Sequence, residues 1–485
     1  MNLKTVAAKT ETTDAPRPYS GFNGQYINGA WRPGRRGVNG KDTDPYTGET
    51  IAEIALADQG DLDEAYQAAA KAQPAWDATL PADRAAVLIR AASIMEARRE
   101  EIVSWLIRES GSVRVRSQFE WELTHAVTLE ASSFPHRAQG RIIPIDEQGK
   151  ESRIYRHPVG VVGVISPRTF PLYVSQRAVG PALALGNAVV LKPSADTPGA
   201  GGLLIAKIFE EAGLPPGILN VVVGSSGEIG DAFISHPIPR IISFTGSTPV
   251  GRRVAKLAAK SPIAKRVMLE LGGNTPTVVL GDANLDQAVL ASGVGRFLHQ
   301  ERIWLSSNRI IVDESVIDEF EERFIAHVKT LKYGNPNDAD TVIGPIISSK
   351  QFERLMGLIE SARGAGAREL LGGEPQGLVV PPHIFADVTN DMEVARNELF
   401  GPVAPIIKVK GEEEALRVAY DTEYGVSSSV ISGDMAALLS GKYRGTLVTT
   451  DVTPTATPAI VPINGADIVR LLSLYLTASA DVSPG

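Results

Sequence analysis

The sequence predicts an α/β protein in which helices cover parallel sheets. Valine-rich apolar runs recur at 161–165, 188–191 and 219–223. Their spacing of about thirty residues is typical of strands joined by helical crossovers. A second series of runs follows at 277–280, 309–312 and 403–407, separated by segments of helical periodicity. We therefore expect two α/β domains, of which the first is of the Rossmann-like, nucleotide-binding type.

Other elements flank these two series. Residues 1–20 are polar and contain proline, which indicates a flexible arm. Segment 25–29 then reads as a short strand that enters an Asn-Gly turn. Residues 61–134 have helical periodicity and predict a helical layer. Near the C-terminus, residues 471–477 are apolar enough for an edge strand.

Charge and composition exclude several classes of partner. The chain has 485 residues, with 48 basic and 56 acidic ones and a net charge of -8. This balance argues against a nucleic acid or an anionic membrane surface as the main partner. No apolar run approaches the ~20 residues of a membrane span, and the first twenty or so residues lack the apolar core of a signal peptide. We expect a cytoplasmic protein that binds a small molecule.

The chain contains no cysteine. Disulfides, thiolate metal ligands and thiol nucleophiles are therefore absent together. The seven histidines have no spacing that is typical of a metal site. We expect no metal.

Three segments after predicted strands carry groups suited to a dinucleotide. Segment 165–171 ends a strand and opens a helix, where α/β folds place ligand-contacting loops. Lys192 and Ser194 follow the next strand and offer an ammonium and a hydroxyl to ribose or phosphate oxygens. Gly246 and Ser247 lie where a helix begins, and such an N-terminus can hold a pyrophosphate. Each of these residues also has a structural explanation when it is taken alone.

A fourth segment, 269–273, places Glu270 in apolar company beside two glycines, which suits a general base. The order of the four segments, followed by Glu-Leu-Phe-Gly-Pro-Val at 398–403, resembles the aldehyde dehydrogenase superfamily over roughly residues 20–440. Segments 157–167, 182–187 and 192–198 are most similar to the branch that oxidises benzaldehyde or vanillin-type aldehydes.

The resemblance implies a division of the chain into three parts that assemble as a homodimer or homotetramer. After the arm at 1–20, residues 21–138 and 160–270 would form the dinucleotide-binding domain and 271–448 the catalytic-type domain. Residues 139–159 and 449–485 would form a small β oligomerisation piece.

The resemblance also implies NAD or NADP as cofactor and assigns site residues. Lys192 would contact the adenosine ribose, Ser247 the pyrophosphate and Glu398 the nicotinamide ribose. Glu270 would be the general base. The full cofactor-binding set would be Ser166, Lys192, Ser194, Gly246, Ser247, Glu398 and Phe400.

The chain departs from the family where the aldehyde is attacked. The family has a Gly-Gln-x-Cys segment whose cysteine is the nucleophile, and here Trp304 stands at that position, within segment 297–309. Indole is not nucleophilic, and its bulk should block the substrate tunnel. Ser306 and Ser307 are possible substitutes, but their hydroxyls are displaced along the chain and lack an evident activating base.

Two further departures affect the substrate pocket. Thr169 replaces the asparagine that donates to the developing oxyanion, and losing such a donor typically costs roughly 10²–10³ in rate. The adjacent Arg168 either binds a ligand carboxylate or, as we favour, pairs with a neighbouring acid. Segments 449–451 and 462–465 also differ from the family, which puts the closing wall of the pocket in doubt.

Because these losses cluster at the reaction centre while the dinucleotide motifs survive, the sequence predicts a non-redox homologue. This would be a pseudoenzyme that binds dinucleotide or an aromatic ligand, or an enzyme with altered, Glu270-based chemistry on an acidic substrate. Three alternatives stay open: NAD(P)-dependent oxidation of an aromatic aldehyde by a different nucleophile, a structural partner subunit of an active relative, and a defective copy.

Overall fold

The computed structural model describes residues 16–301, 306–425, 427–433 and 446–449. The strands are β1 (Gln25–Ile27), β2 (Ala30–Arg32), β3 (Asn39–Thr43), β4 (Thr50–Ala55), β5 (Arg141–Pro144), β6 (Glu151–Ile154), β7 (Val161–Ile165), β8 (Ala188–Lys192), β9 (Leu219–Val221), β10 (Ile241–Thr245), β11 (Arg266–Glu270), β12 (Thr275–Val279), β13 (Ser307–Asp313), β14 (Arg368–Leu371), β15 (His383–Ala386), β16 (Val403–Val409), β17 (Ser429–Ser432) and β18 (Thr446–Thr449). The helices are α1 (Gln59–Asp77), α2 (Pro81–Ala97), α3 (Arg99–Ser110), α4 (Arg114–Ser132), α5 (Phe134–Arg137), α6 (Pro171–Ala184), α7 (Leu204–Glu211), α8 (Asp231–Ser235), α9 (Thr248–Ala259), α10 (Leu285–Phe297), α11 (Ile317–Val328), α12 (Ser349–Gly364), α13 (Glu393–Arg396) and α14 (Gly411–Tyr420).

The first sheet has the order β11-β10-β7-β8-β9-β1-β2. Strands β7 to β11 are parallel, and the hairpin β1–β2 adds to one edge in antiparallel direction. The chain passes from β7 to β9 on one side and then returns to place β10 on the other side of β7. The strand order therefore reverses between β7 and β10, and open α/β sheets bind ligands outside the carboxyl ends of the strands at such a point.

Helices cover both faces of the first sheet because its strands are apolar on both. Val162 and Val164 face a core that includes residues of α2, α3, α4, α6 and α7. Val161 and Val190 face the opposite core, which is formed with α1, α8 and α9. This explains why the predicted strands are continuous valine runs rather than alternating patterns.

The second sheet has the order β14-β15-β16-β13-β12-β17-β18, with β14 as an antiparallel edge on otherwise parallel strands. Helices α12, α13 and α14 cover one face, and α10 and α11 cover the other. The prediction of an α/β protein with two helix-covered parallel sheets is confirmed. The functions assigned to the two halves stay predictions.

The N-terminal part shows where contacts with the folded body begin and confirms the predicted turn. Tyr19 donates from its backbone N–H to Glu101 at 2.6 Å, and its ring lies under the Arg98 guanidinium, so contacts with the folded body already include Tyr19. Asn28 and the glycine after it have φ values of 51° and 77°, as the predicted Asn-Gly turn requires.

Several predictions concern residues outside the described ranges. They are the first part of the arm, Trp304, the C-terminal pocket wall apart from Thr449, and the edge strand at 471–477. Among the helices that are described, none combines the length and the apolar character needed to cross a membrane.

Candidate active site

A cavity of about 200 Å³ lies at the carboxyl ends of the first sheet's strands, where the strand order reverses. The lining residues come from four loops after strands and from the loop before β16. They are Pro167, Arg168, Thr169, Ser194, Thr245, Gly246, Ser247, Glu270, Leu271, Gly272, Glu398 and Phe400. Drug-sized ligands occupy cavities of roughly 300–1,000 Å³. This cavity thus suits a smaller molecule or one part of a larger one.

Parallel pairing brings the predicted segments together. Ile165 lies opposite Lys192 in the β7–β8 pairing and opposite Phe244 in the β7–β10 pairing, while Thr245 lies opposite Glu270. Each strand ends at the same edge, so the side chains that follow converge. Of the predicted cofactor set, Ser194, Gly246, Ser247, Glu398 and Phe400 line the cavity. Ser166 and Lys192 are buried and are not among the lining residues.

The loop after β7 is fixed by a buried ion pair. Phe170 has a left-handed backbone, with φ 48°, and its ring lies 3.4 Å from the Arg116 guanidinium carbon. Arg116 pairs with Glu120, and Glu120 accepts the backbone N–H groups of Leu172 at 2.9 Å and Tyr173 at 3.2 Å. This pair was not predicted, although an Arg and a Glu four residues apart on one helix are its sequence signature. The N-terminus of α6 is therefore already bound by a carboxylate.

Arg168 and Thr169 lie side by side in this loop. Arg168 faces Asp196 at 3.7 Å and lies 6.0 Å from the Phe400 ring centre. Burial lowers the pKa of Arg168, and the charge of Asp196 opposes that effect. Thr169 is buried, with 6% of its surface exposed. Asp196 is thus a neighbouring acid of the kind that we expected Arg168 to pair with.

Lys192 and Ser247 offer a ligand two different kinds of contact, an ammonium group and the N-terminus of a helix. Burial lowers the pKa of Lys192 to about 8, because the ammonium loses water at the end of β8. Ser247 is exposed at the N-cap of α9, a 12-residue helix without an acidic residue in its first turn, and its side chain makes no capping hydrogen bond. An anion can therefore reach the N–H groups of this helix.

Glu270 does not lie in the apolar surroundings that its sequence neighbours predict. Its side chain is 49% exposed at the end of β11, which is an edge strand of the sheet. The guanidinium of Arg177 on α6 lies 3.9 Å from its Oε2 atom, and this arginine is buried. Burial lowers the pKa of Arg177, which the charge of Glu270 opposes. No role was predicted for Arg177, although it is the only charged residue of α6.

The partly buried acid of the cavity is Glu398. Burial raises its pKa to about 7, against the opposing effects of the Gly273 N–H, Arg354 and Arg168. Glu398 Oε1 accepts the Gly273 N–H at 3.1 Å. A Cβ atom on Gly272 would lie 2.6 Å from Glu398 Oε2, so the glycine permits this approach.

The sequence matches the model of the Aldehyde dehydrogenase family over residues 31–452. It is 49% identical over 409 residues to a vanillin dehydrogenase of Corynebacterium glutamicum, covering 84% of both chains. It is 45% identical over 417 residues to a benzaldehyde dehydrogenase of Bacillus subtilis, covering 86% of both.

Solved structures agree with these similarities. A NAD-dependent benzaldehyde dehydrogenase from Corynebacterium glutamicum superposes with a TM-score of 0.83 and 47% identity, covering 88% of this chain and 94% of that one. A salicylaldehyde dehydrogenase from Pseudomonas putida, in complex with salicylaldehyde, has a TM-score of 0.83 and 36% identity, covering 88% of this chain and 89% of that one. The predicted fold of this family is confirmed.

The prediction of a non-redox homologue is wrong. The relatives are named for the oxidation of vanillin, benzaldehyde and salicylaldehyde, and the similarity extends over most of the chain. The changes around Trp304 and Thr169 affect a few positions, whereas the similarity to these relatives covers most of the chain. The comparisons support oxidation of an aromatic aldehyde, which was an alternative.

Proposed function

Because this chain belongs to the aldehyde dehydrogenase family, we propose that it oxidises an aromatic aldehyde to the carboxylic acid with NAD or NADP as hydride acceptor. The observation that carries the proposal is the convergence of the strand-end segments and Glu398 on one cavity at the reversal of the strand order. We infer the substrate class, aromatic aldehydes, from the relatives, which are named for vanillin and benzaldehyde.

The groups around the cavity fit a dinucleotide. The open helix N-terminus at Ser247 suits a pyrophosphate, because its N–H groups and the helix dipole favour negative charge. Ser166 Oγ is buried without a hydrogen-bond partner among the described residues, which leaves a polar atom for a ligand to satisfy. Lys192 is buried beside it, since the Ser166 N–H donates to the Lys192 carbonyl at 3.2 Å.

The proposal gives each group a task. Ser247 would hold the pyrophosphate, Lys192 a ribose, and Glu398 the ribose next to the nicotinamide. The bound cofactor supplies the oxidation by accepting a hydride. Glu270 would handle the proton, since it is the exposed acid on the cavity wall. The chain contains no cysteine, so the nucleophile that attacks the aldehyde is not a thiol.

We also propose that the protein assembles with copies of itself in the cytoplasm. The hairpin β5–β6 supports assembly, since β5 is exposed along its whole length. Ile142 is 67% exposed and Tyr155, just after β6, is 64% exposed. Exposed apolar side chains concentrated in one element are typical of an interface.

The proposed activity is tested with purified protein, vanillin and benzaldehyde, and NAD or NADP in separate reactions. Reduced nicotinamide is followed by absorbance, and the aromatic acid is quantified by chromatography. We expect one molecule of acid for each reduced dinucleotide, with an aliphatic aldehyde as a poorer substrate. Absence of reduction with every aldehyde and both cofactors would refute the proposed function.

A further inference from the structure

Glu270 and Glu398 are the two acids of the cavity, and they differ in what they can reach. The side chain of Glu398 is mostly buried and accepts the N–H of Gly273. Glu270 is half exposed on the cavity wall, with the buried cation of Arg177 near one carboxylate oxygen. Glu270 is therefore the acid that can meet both water and a small substrate.

The hydroxyls nearest to the expected nucleophile position do not replace a thiol. Ser307 belongs to β13, and its Oγ atom accepts the Thr277 hydroxyl at 2.7 Å inside the sheet. Ser306 is also buried, with 7% of its surface exposed. A serine nucleophile needs a base within hydrogen-bond reach. Ser307 is occupied by a hydroxyl donor instead.

From these contacts we infer that this chain oxidises the hydrate of the aldehyde, which Glu270 forms as general base, and that no acyl group becomes attached to the protein. The inference rests on the proposed function and specifies its route. It assigns to a water molecule the part that a cysteine sulfur would otherwise take.

The route balances in atoms and electrons. The water oxygen bonds to the aldehyde carbon as Glu270 accepts one of its protons. The protonated Glu270 then returns that proton to the former carbonyl oxygen, which gives the hydrate and restores the carboxylate. The hydrate carbon then gives its hydride to the oxidised dinucleotide. One hydroxyl proton leaves as the carbon–oxygen double bond of the acid forms. The sum is aldehyde, water and oxidised dinucleotide to acid, reduced dinucleotide and one proton.

Intact-protein mass spectrometry separates this route from a covalent one. The protein is mixed with benzaldehyde and cofactor, quenched in acid during turnover and weighed against the unmixed 51.7 kDa chain. We expect only the unmodified mass. A species heavier by one benzoyl group would overturn the inference but leave the proposed function standing.

Two variants complete the test. We expect Glu270→Gln to lose roughly 10²–10⁴ of the turnover, as removal of a general base does, while dinucleotide affinity measured by calorimetry is unchanged. Glu319→Gln makes the same change at an exposed residue of α11 and should retain full turnover. Full turnover in Glu270→Gln would overturn the inference. If the wild-type protein oxidises no aldehyde at all, the proposed function itself is refuted, and the inference that rests on it is refuted with it.

Discussion

At the scale of single residues, the cavity holds one acid that is half exposed, Glu270, and one that is mostly buried, Glu398. The carboxyl of Glu398 has its pKa raised from 4.5 to about 7 because it loses water. Between these two values the folded protein binds a proton that the unfolded chain releases. The folded state therefore loses stability as pH rises through this window. Above about pH 7, where Glu398 is ionised in the folded protein, its destabilising effect is fully present.

We expect Glu398→Gln to raise the melting temperature at about pH 8 and to raise it much less at about pH 5. The amide keeps an oxygen for the Gly273 N–H but carries no charge. The gain in unfolding free energy at the higher pH should be on the order of 3 kcal/mol at most, from a shift of more than two pKa units. Calorimetric melting at both pH values measures it. An equal effect at the two pH values would contradict the assigned cause.

The sequence predicted which residues surround the cavity better than it predicted their environments. Motif order was enough to select Ser247, Glu270 and Glu398. Whether a carboxylate is buried depends on which chain segments pack over it, and those are distant in sequence. Glu270 is partnered by Arg177, and Glu398 is approached by Gly272; neither contact follows from local pattern.

At the scale of elements, α6 is positioned by the Arg116–Glu120 pair. Both side chains are almost fully buried, and the carboxylate also binds two N–H groups at the N-terminus of α6. Removing one partner of a buried pair leaves the other charge without compensation. The pair thus links the stability of the fold to the loop that carries Arg168 and Thr169.

We expect Glu120→Ala to lower the free energy of unfolding by about 3–5 kcal/mol, because the guanidinium of Arg116 stays buried. Urea denaturation followed by circular dichroism gives the value. The matched control is Glu319→Ala, which removes the acid of an exposed i,i+4 pair with Arg323 and should cost under about 1 kcal/mol. Similar losses in the two variants would mean that burial of the pair is not the cause.

Strands were the most predictable elements. The valine runs at 161–165 and 188–191 match β7 and β8 within one residue, because a strand buried on both faces must be apolar throughout. The strand order was not predictable from these runs. It depends on which crossover passes over which face, and it is this order that places the cavity between β7 and β10.

At the scale of the whole molecule, the hairpin β5–β6 is the element with the clearest unpaired apolar surface in the described part of the chain. We expect Ile142→Asp to shift the protein to a smaller species in size-exclusion chromatography with light scattering, because a charge would have to be buried in the interface. Leu80→Asp is the matched control, since Leu80 is 66% exposed but lies at the start of α2. An unchanged molar mass in Ile142→Asp would exclude the hairpin as an interface.

The proposed function requires this chain to oxidise aromatic aldehydes without a cysteine. Its most direct measurement is the rate of dinucleotide reduction with vanillin before and after exhaustive treatment with iodoacetamide. A family member that carries the cysteine serves as control and should be inactivated. We expect the same rate in the treated and untreated protein, because the chain offers no thiol to alkylate. Loss of the rate on treatment, or no rate in either sample, would contradict it.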